Sequence, residues 1–255
     1  ACSQGIKVEQ PHTFNDPDVL EVLKSYNPDF LVVVAYGLIL PRKVLEIPKE
    51  FSINVHGSFL PFWRGAAPIN HAIFNKDPFT GVTIIKMSEE LDAGPILRQE
   101  KVILDHTETF GSLHRVLSEL GAKSLLKTLN NINANEEILQ NEKFVSYAPK
   151  IKKLDAKLDF NSQASALEAR IRGLAPTPGA WFEYKKERFK VFSAEVVEGN
   201  GKAGSIINEN LTIACGKKAL NILEIQRQGK DVMSVSDLLR GFKFKKGDNV
   251  NQSTH

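Results

Sequence analysis

The sequence predicts an α/β domain with a mainly parallel sheet, followed by a smaller domain built of short strands. In about the first 130 residues, apolar runs of strand length alternate with segments of helical periodicity, the order that is typical of a parallel sheet. From about residue 160, short apolar segments separated by frequent turn signals favour a small barrel or sandwich. A chain of 255 residues is long enough for both domains.

Composition indicates a soluble protein of a reducing compartment. With 42% hydrophobic and 25% charged residues, the chain has ordinary globular composition. No apolar run approaches the ~18 residues of a membrane span, and the first residues lack a signal-peptide pattern. Cys2 and Cys215 have neither metal-binding spacing nor a disulfide framework. We therefore expect a cytoplasmic protein without a bound metal or a membrane partner.

Charge is divided unevenly along the chain. Residues 1–149 carry 14 Lys and Arg against 18 Asp and Glu, a net charge of −4, whereas residues 150–255 carry 19 against 12, a net charge of +7. A basic C-terminal third favours an anionic partner held by that third. A solvated basic surface without a partner is the alternative.

In the first domain, helix and strand signals follow each other closely. Two helices are predicted to begin at prolines, one at Pro17 after Asp16 and one at Pro41. The Val-rich run 30–35 between them is typical of a strand buried on both faces of a parallel sheet. Further along, we predict a strand that carries Asn54 and His56, a helix at 67–74, strands at 82–87 and 97–104, and a long helix capped by Thr107-Glu108.

The sequence pattern changes in the last part of the chain. Residues 131–160 are polar and rich in lysine, which predicts a linker between a domain of residues 1–130 and one of residues 161–255. A helix ending at Gly173 opens the second domain, and Ser234-x-x-Asp237 is a capping box for another. Between these helices, strands are predicted at 181–184, 188–197, 204–207, 211–215 and 219–226.

One stretch concentrates polar residues at the end of a strand. Asn54 and His56 are two residues apart, so their side chains leave the same face of an extended chain. Gly57-Ser58 then interrupts the strand, and Pro61 shapes the following loop. Open α/β sheets bind ligands at the carboxyl ends of strands, which favours a functional pair. A polar pair that is satisfied within the structure is the alternative.

This stretch resembles a family signature. Residues 54–61, Asn-Val-His-Gly-Ser-Phe-Leu-Pro, are similar to the signature of the folate-dependent formyltransferases, and the continuation 64–69, Arg-Gly-Ala-Ala-Pro-Ile, is typical of the methionyl-tRNA formyltransferases within that family. Residues 91–97, Leu-Asp-Ala-Gly-Pro-Ile-Leu, resemble the family's aspartate loop. The resemblance runs from about Val8 to about Val250.

The resemblance implies an architecture and a reaction. The family has a Rossmann-like sheet domain and an OB-like β-barrel domain that binds tRNA. The chain begins where the family is partway through its first domain, so we expect a catalytic domain that lacks its first strand–helix–strand, with doubtful activity and stability. The implied reaction transfers a formyl group from 10-formyltetrahydrofolate to the amino group of initiator methionyl-tRNA, for translation initiation. We expect a monomeric one-carbon transferase without a metal.

The chemistry of the residues agrees with the implied catalytic triad of Asn54, His56 and Asp92. The Asn54 amide can donate to the oxygen that becomes negative during transfer, an effect worth about 3–4 kcal/mol for one such donor. His56 can donate to that oxygen and carry protons, because an imidazole titrates near neutrality. Asp92 would orient the imidazole and favour its charged form. An isolated Asp-x-Gly is also typical of a simple turn.

The folate pocket is predicted at the loop that follows this strand. Ser58, Phe59, Leu60 and Pro61 would form one wall, with backbone groups toward the pteridine and apolar side chains toward its face. The family usually has Leu at position 59 and a basic residue at position 62. The remaining predicted pocket residues, for which core packing is an equal alternative, are Leu38 and Ile39.

The tRNA contacts are predicted from basic residues. Residues 170–182 resemble the entry of the family's C-terminal domain, although Ala175 and Thr177 depart from its pattern. Lysine and arginine side chains would contact phosphates, which carry affinity without sequence information. A solvated surface charge is the alternative for each lysine. The predicted contacts are Arg64, Lys150, Lys152, Lys153, Lys185, Lys186, Arg188 and Lys190.

Two rival functions remain open at this stage. A small-molecule formyltransferase, or a hydrolase of the same donor, would not need a basic C-terminal domain. A non-catalytic RNA-binding protein would not need Asn54, His56 and Asp92 together. The two features therefore favour a formyltransferase that acts on tRNA.

Overall fold

A computed structural model describes residues 1–38, 40–132 and 136–251. The described helices are α1 (Pro17–Ser25), α2 (Arg42–Leu45), α3 (Pro68–Phe74), α4 (Phe110–Asn130), α5 (Ala164–Leu174) and α6 (Val235–Leu239). The described strands are β1 (Phe30–Val33), β2 (Phe51–His56), β3 (Arg64–Gly65), β4 (Phe79–Lys86), β5 (Ile96–Ile103), β6 (Tyr147–Ala148), β7 (Ala180–Tyr184), β8 (Glu187–Val197), β9 (Thr212–Ala214), β10 (Ala219–Arg227) and β11 (Val232–Ser234).

The chain divides into two compact units. The first contains Ala1–Arg64, Val82–Glu100 and Leu120–Ser146. The second contains Gly65–Gly81, Lys101–Glu119 and the chain from Tyr147 onward. Both units combine helices with strands, which confirms the predicted α/β class.

The first sheet has the order β1-β2-β4-β5. β1 and β2 run parallel, with Phe30 opposite Phe51, whereas β2 and β4 run antiparallel, with His56 opposite Thr83. β2 thus has a strand on each side. β1 pairs with β2 only as far as Asn54, whereas β4 pairs with it through His56, so β4 alone holds the last residues of β2 in register.

The strand predicted at residues 30–35 is shorter and more exposed than expected. β1 ends at Val33, and the side chains of Val32 and Val34 are 37% and 57% exposed. β1 stands at the end of the described strand order, so a neighbouring strand covers only one of its edges. The prediction of a strand buried on both faces was wrong for this position.

Helix starts follow the predicted capping chemistry, with one shift. α1 begins at Pro17, as predicted, and the Asp16 carboxylate ahead of it accepts a hydrogen bond from the Asp18 N–H at 3.0 Å. The long helix begins at Phe110, and the Thr109 hydroxyl accepts from the Ser112 N–H at 3.2 Å. Thr109, rather than the predicted Thr107, therefore caps α4.

The second unit is organised by an antiparallel sheet of order β11-β10-β8-β7, with β9 paired to β10. Its core contains the fully buried rings of Phe160, Phe182 and Phe189. The strand predicted at 204–207 is absent as a named strand among the described residues; Ser205 and Ile206 form isolated bridges instead. Ser205 pairs with Asn249 and Ile206 pairs with Ile213, so no continuous strand forms there.

Two further observations concern the predicted environment. Cys2 is exposed and Cys215 is buried, both as free thiols, and burial raises the pKa of the Cys215 thiol to about 11. No helix in the described ranges is long and apolar enough to cross a membrane.

Candidate active site

The end of β2 presents the two predicted polar residues. Asn54 and His56 are 9% and 5% exposed, and the strand lies between β1 and β4. Their common face follows from the two-residue period of a strand, as the sequence predicted. Burying two polar side chains requires hydrogen-bond partners, because an unpaired buried polar group destabilises the fold.

Asp92 supplies such a partner from a distant loop. Asn54 Nδ2 donates to Asp92 Oδ1 at 3.0 Å, although the residues lie 38 positions apart in the sequence. His56 Nδ1 lies 3.6 Å from Asp92 Oδ2, which is too long for a hydrogen bond. The structure thus brings the three predicted catalytic residues together in one cluster.

The backbone at Asp92 is held in an uncommon conformation. Its φ of 50° lies in the left-handed region, which aspartate tolerates better than most residues. Gly94 follows in a tight space, where an added Cβ would lie 1.8 Å from the Lys86 carbonyl oxygen. The loop therefore depends on close contact with the end of β4.

His56 also faces an acceptor on its other side. Its Nε2 lies 2.9 Å from the carbonyl oxygen of Trp63, and a carbonyl can only accept, so Nε2 carries a hydrogen. With Nδ1 facing Asp92, both ring nitrogens face oxygen atoms.

The loop after β2 is held by side chains that sequence reasoning missed. The Thr83 hydroxyl donates to the Ser58 carbonyl at 2.7 Å and accepts from the Leu60 N–H at 3.0 Å. Gln99 Nε2 donates to the Leu60 carbonyl at 2.7 Å. Thr83 is the register partner of His56, so only the strand pairing identifies it.

These contacts correct part of the predicted folate wall. Ser58 and Leu60 are 0% and 1% exposed, and Leu60 packs in a buried cluster with Ile85 and Ile96. Their side chains stabilise the loop from inside and do not form a wall toward solvent. Phe59 and Pro61 are partly exposed, and the predicted folate contact at this loop now depends on them.

Of the other two predicted pocket residues, only Leu38 lies within the described ranges. Leu38 is 38% exposed, and Ile39 lies outside the described residues. A cavity of about 620 Å³ lies nearby, lined by α1, β1 and the segment after it, including Leu40. Among the described residues, its lining contains none of the three catalytic candidates, so its position does not support a role in the chemistry.

Arg64 is not available for the predicted tRNA contact. It is 2% exposed, and its Nη2 donates to Glu142 Oε1 at 2.8 Å and to Gln140 Oε1 at 2.9 Å. A buried guanidinium requires such partners, because an unpaired buried charge is strongly destabilising. The prediction for Arg64 was wrong, since the structure encloses this side chain within the first unit.

The other predicted tRNA contacts lie in the second unit, and Arg188 among them packs on a tryptophan. The Arg188 guanidinium carbon lies 4.1 Å and Lys157 Nζ 5.3 Å from the centre of the Trp181 ring. Trp181 Nε1 donates to the Lys153 carbonyl at 3.2 Å. The exposed members are Lys150, Lys152, Lys153, Lys185, Lys186 and Arg188, and Lys190 is partly exposed. We call Lys153, Lys157, Arg188 and Lys190, with Trp181, the basic face.

Comparisons with known proteins identify the family. A family model described as formyl transferase matches residues 6–129, and a second, for the formyl transferase C-terminal domain, matches residues 150–243. The methionyl-tRNA formyltransferase of Rhizorhabdus wittichii is 42% identical over 245 residues, covering 95% of this chain and 79% of that protein. The chain belongs to the formyltransferase family.

This formyltransferase is also similar to a second relative and to two solved structures. The methionyl-tRNA formyltransferase of Bradyrhizobium diazoefficiens is 40% identical, covering 95% of this chain and 80% of that protein. The crystal structure of HypX from Aquifex aeolicus with tetrahydrofolic acid matches with a TM-score of 0.67 at 20% identity, over 92% of this chain and 44% of that one. Methionyl-tRNA formyltransferase from Clostridium thermocellum matches with a TM-score of 0.59 at 20% identity, covering 86% and 84%.

The comparisons confirm the predicted family and its transferase class. The solved structures share the fold of this formyltransferase. The roles assigned to Asn54, His56 and Asp92 stay predictions, which their geometry supports. In the part of the chain that the structure describes, no group of three His, Cys, Asp or Glu side chains is arranged to hold a metal ion.

Proposed function

We propose that this formyltransferase transfers the formyl group of 10-formyltetrahydrofolate to the amino group of initiator methionyl-tRNA, as a cytoplasmic monomer. The observation that carries the proposal is the buried cluster of Asn54, His56 and Asp92 at the end of an inner strand. Relatives that are about 40% identical over nearly the whole chain are methionyl-tRNA formyltransferases, which supports this acceptor.

The hydrogen-bond donors of the cluster suit the carbonyl oxygen of a formyl group. 10-Formyltetrahydrofolate supplies a formyl group on a nitrogen that can leave. In the balanced reaction, a bond forms between the methionyl nitrogen and the formyl carbon, the bond from that carbon to the folate nitrogen breaks, and one proton passes from the amine to the folate nitrogen. The protein must therefore stabilise negative charge on oxygen and move one proton.

Each member of the cluster has a defined role in this proposal. The Asn54 amide carries two hydrogens; one is donated to Asp92, and the other can be donated to the formyl oxygen. In this proposal His56 Nε2 exchanges the Trp63 carbonyl for the formyl oxygen, donates to that oxygen as it becomes negative, and carries the proton between the two nitrogens. Asp92 holds the imidazole from the Nδ1 side and compensates its positive charge.

The basic face holds the tRNA in this proposal. Arg188 and Lys190 are two residues apart on β8 and share one side of the strand, opposite the buried side chains of Phe189 and Val191. Phosphate contacts of this kind supply affinity that falls as salt concentration rises. Residues 161–255, together with Lys153 and Lys157, would then bind the acceptor, and residues 1–130 would carry the chemistry.

Arg188→Ala is expected to weaken methionyl-tRNA binding by about tenfold and to lower the slope of log K against log salt by about one, because one phosphate contact is lost. Fluorescence titration of labelled tRNA at several salt concentrations measures both quantities. Lys123→Ala removes an exposed lysine of α4 in the other unit and serves as the matched control. An affinity and salt slope equal to those of the unchanged protein would remove Arg188 from the interface.

A single-turnover assay with 10-formyltetrahydrofolate and methionyl-tRNA tests the proposed function. We expect stoichiometric formyl-methionyl-tRNA, and no product with free methionine or an amino sugar nucleotide as acceptor. Formylation of a small amine alone, or release of formate without transfer, would overturn the acceptor assignment. Binding of tRNA without any transfer would instead establish a non-catalytic RNA-binding protein.

A further inference from the structure

Gln140 connects the buried Arg64 to the aspartate loop. Its Oε1 accepts from Arg64 Nε at 3.0 Å and from Arg64 Nη2 at 2.9 Å. Its Nε2 donates to the carbonyl oxygens of Asp92 at 2.7 Å and Gly94 at 2.8 Å. One amide group therefore joins three segments that lie far apart in the sequence, all within the first unit.

The arrangement permits only one orientation of the amide. The guanidinium of Arg64 offers donors and no acceptor, whereas the two loop carbonyls offer acceptors and no donor. Rotating the Gln140 amide by half a turn would set N–H against N–H and oxygen against oxygen. Arg64 is 2% exposed, so its charge strengthens the hydrogen bond that fixes this orientation.

The aspartate loop needs such a restraint. Asp92 has a φ of 50°, and a non-glycine residue in that region costs about 1–3 kcal/mol unless its surroundings stabilise it. The two hydrogen bonds from Gln140 hold the carbonyl of Asp92 itself and the carbonyl two residues later. These bonds restrain the loop backbone and therefore the position of the Asp92 carboxylate, which contacts Asn54 and His56.

We propose that Gln140 and Arg64 are positioning residues for catalysis, which act by holding the aspartate loop so that the Asp92 carboxylate meets Asn54 and His56. This inference rests on the proposed function, because it assumes that Asp92 takes part in the chemistry. Neither residue contacts the reacting atoms in this arrangement. Gln140 acts on the loop directly, and Arg64 acts by fixing the Gln140 amide.

Gln140→Glu is the decisive variant. Glutamate keeps the length of the side chain and its pairing with Arg64, but it loses both N–H donors and turns a carboxylate toward two carbonyls. We expect kcat to fall at least about tenfold, since small displacements of a catalytic group are costly, while the KM values for both substrates change less than about threefold. Gln4→Glu, the same change at an exposed position, is expected to match the unchanged protein.

Arg64 provides a second, independent comparison. Arg64→Lys retains a cationic donor for Gln140 Oε1, whereas Arg64→Met has similar bulk without a donor. We expect the lysine variant to keep at least about five times the kcat of the methionine variant, with KM values again similar. Equal kcat values for these two variants would show that the charge does not act through Gln140.

Thermal unfolding of every variant separates positioning from folding. A Gln140→Glu protein with an unchanged melting temperature and a reduced kcat supports the inference. A kcat within threefold of the unchanged protein, or a kcat that falls only together with the melting temperature and both KM values, overturns it. Asp92→Ala is measured in parallel: if that variant keeps full activity, the proposed chemistry fails, whereas loss in Asp92→Ala with full activity in Gln140→Glu refutes the positioning role alone.

Discussion

Replacing His56 with alanine is expected to lower the single-turnover rate of formyl transfer by about a thousandfold, because a positioned acid–base group contributes roughly 10²–10⁴ in rate. The substitution removes both the Nε2 hydrogen bond to the Trp63 carbonyl and the contact with Asp92. Affinity for methionyl-tRNA should stay within about twofold, because in our proposal the basic face of the second unit supplies the phosphate contacts. Rapid-quench measurement of the rate and fluorescence titration of tRNA give the two values.

His114→Ala is the matched control for this experiment. His114 is exposed on α4, so its loss should leave both the rate and the affinity unchanged. If His56→Ala weakens tRNA binding as much as it slows transfer, His56 supports the structure of the protein and does not act on the formyl group. A His56→Ala rate close to that of the unchanged protein would remove the imidazole from the mechanism.

Gly94→Ala is expected to lower kcat/KM by about a hundredfold, because a displacement near 1 Å at a catalytic group costs that much. The new Cβ would stand 1.8 Å from the carbonyl oxygen of Lys86, which belongs to the backbone of β4 and cannot rotate away. The loop must move, and Asp92, two residues earlier, moves with it. Steady-state kinetics compared with the unchanged protein gives the loss.

Gly241→Ala tests whether a glycine substitution by itself has an effect. An added Cβ at Gly241 would meet nothing within 4 Å, and like Gly94 it does not adopt the left-handed conformation. This control should retain full activity. Full activity in Gly94→Ala would contradict the close packing of the aspartate loop on β4, and loss of tRNA binding in that variant would indicate damage beyond the loop.

The positions of the catalytic candidates were largely predictable from local sequence. The two-residue spacing of Asn54 and His56 places them on one face of any strand, and Gly57 ends the strand directly after them. The Asp-Ala-Gly segment at 92–94 indicates a turn, and the family resemblance predicts that Asp92 in this turn acts together with Asn54 and His56. The structure then places Asp92 within contact of both residues.

Burial explains the predictions that failed. Arg64 is predicted to contact tRNA because it is basic, and Leu60 to contact folate because its loop resembles the family signature, yet both side chains are almost completely enclosed. Whether Arg64 faces solvent or pairs with a glutamine depends on Gln140, a partly buried residue 76 positions away. Val34 shows the opposite error, since an apolar run predicted to be buried lies at the end of the described strand order.

The sequence by itself determined the α/β class, the formyltransferase family, the common face of Asn54 and His56 and the basic character of the last third. These properties follow from residue type, short-range spacing and summed charge. Only the tertiary structure decided that Thr83 and Gln99 hold the loop after β2 and that Gln140 holds the aspartate loop. Such hydrogen bonds join segments whose separation along the chain leaves no periodic pattern, so they exist only once the strands are in register and the loops are packed.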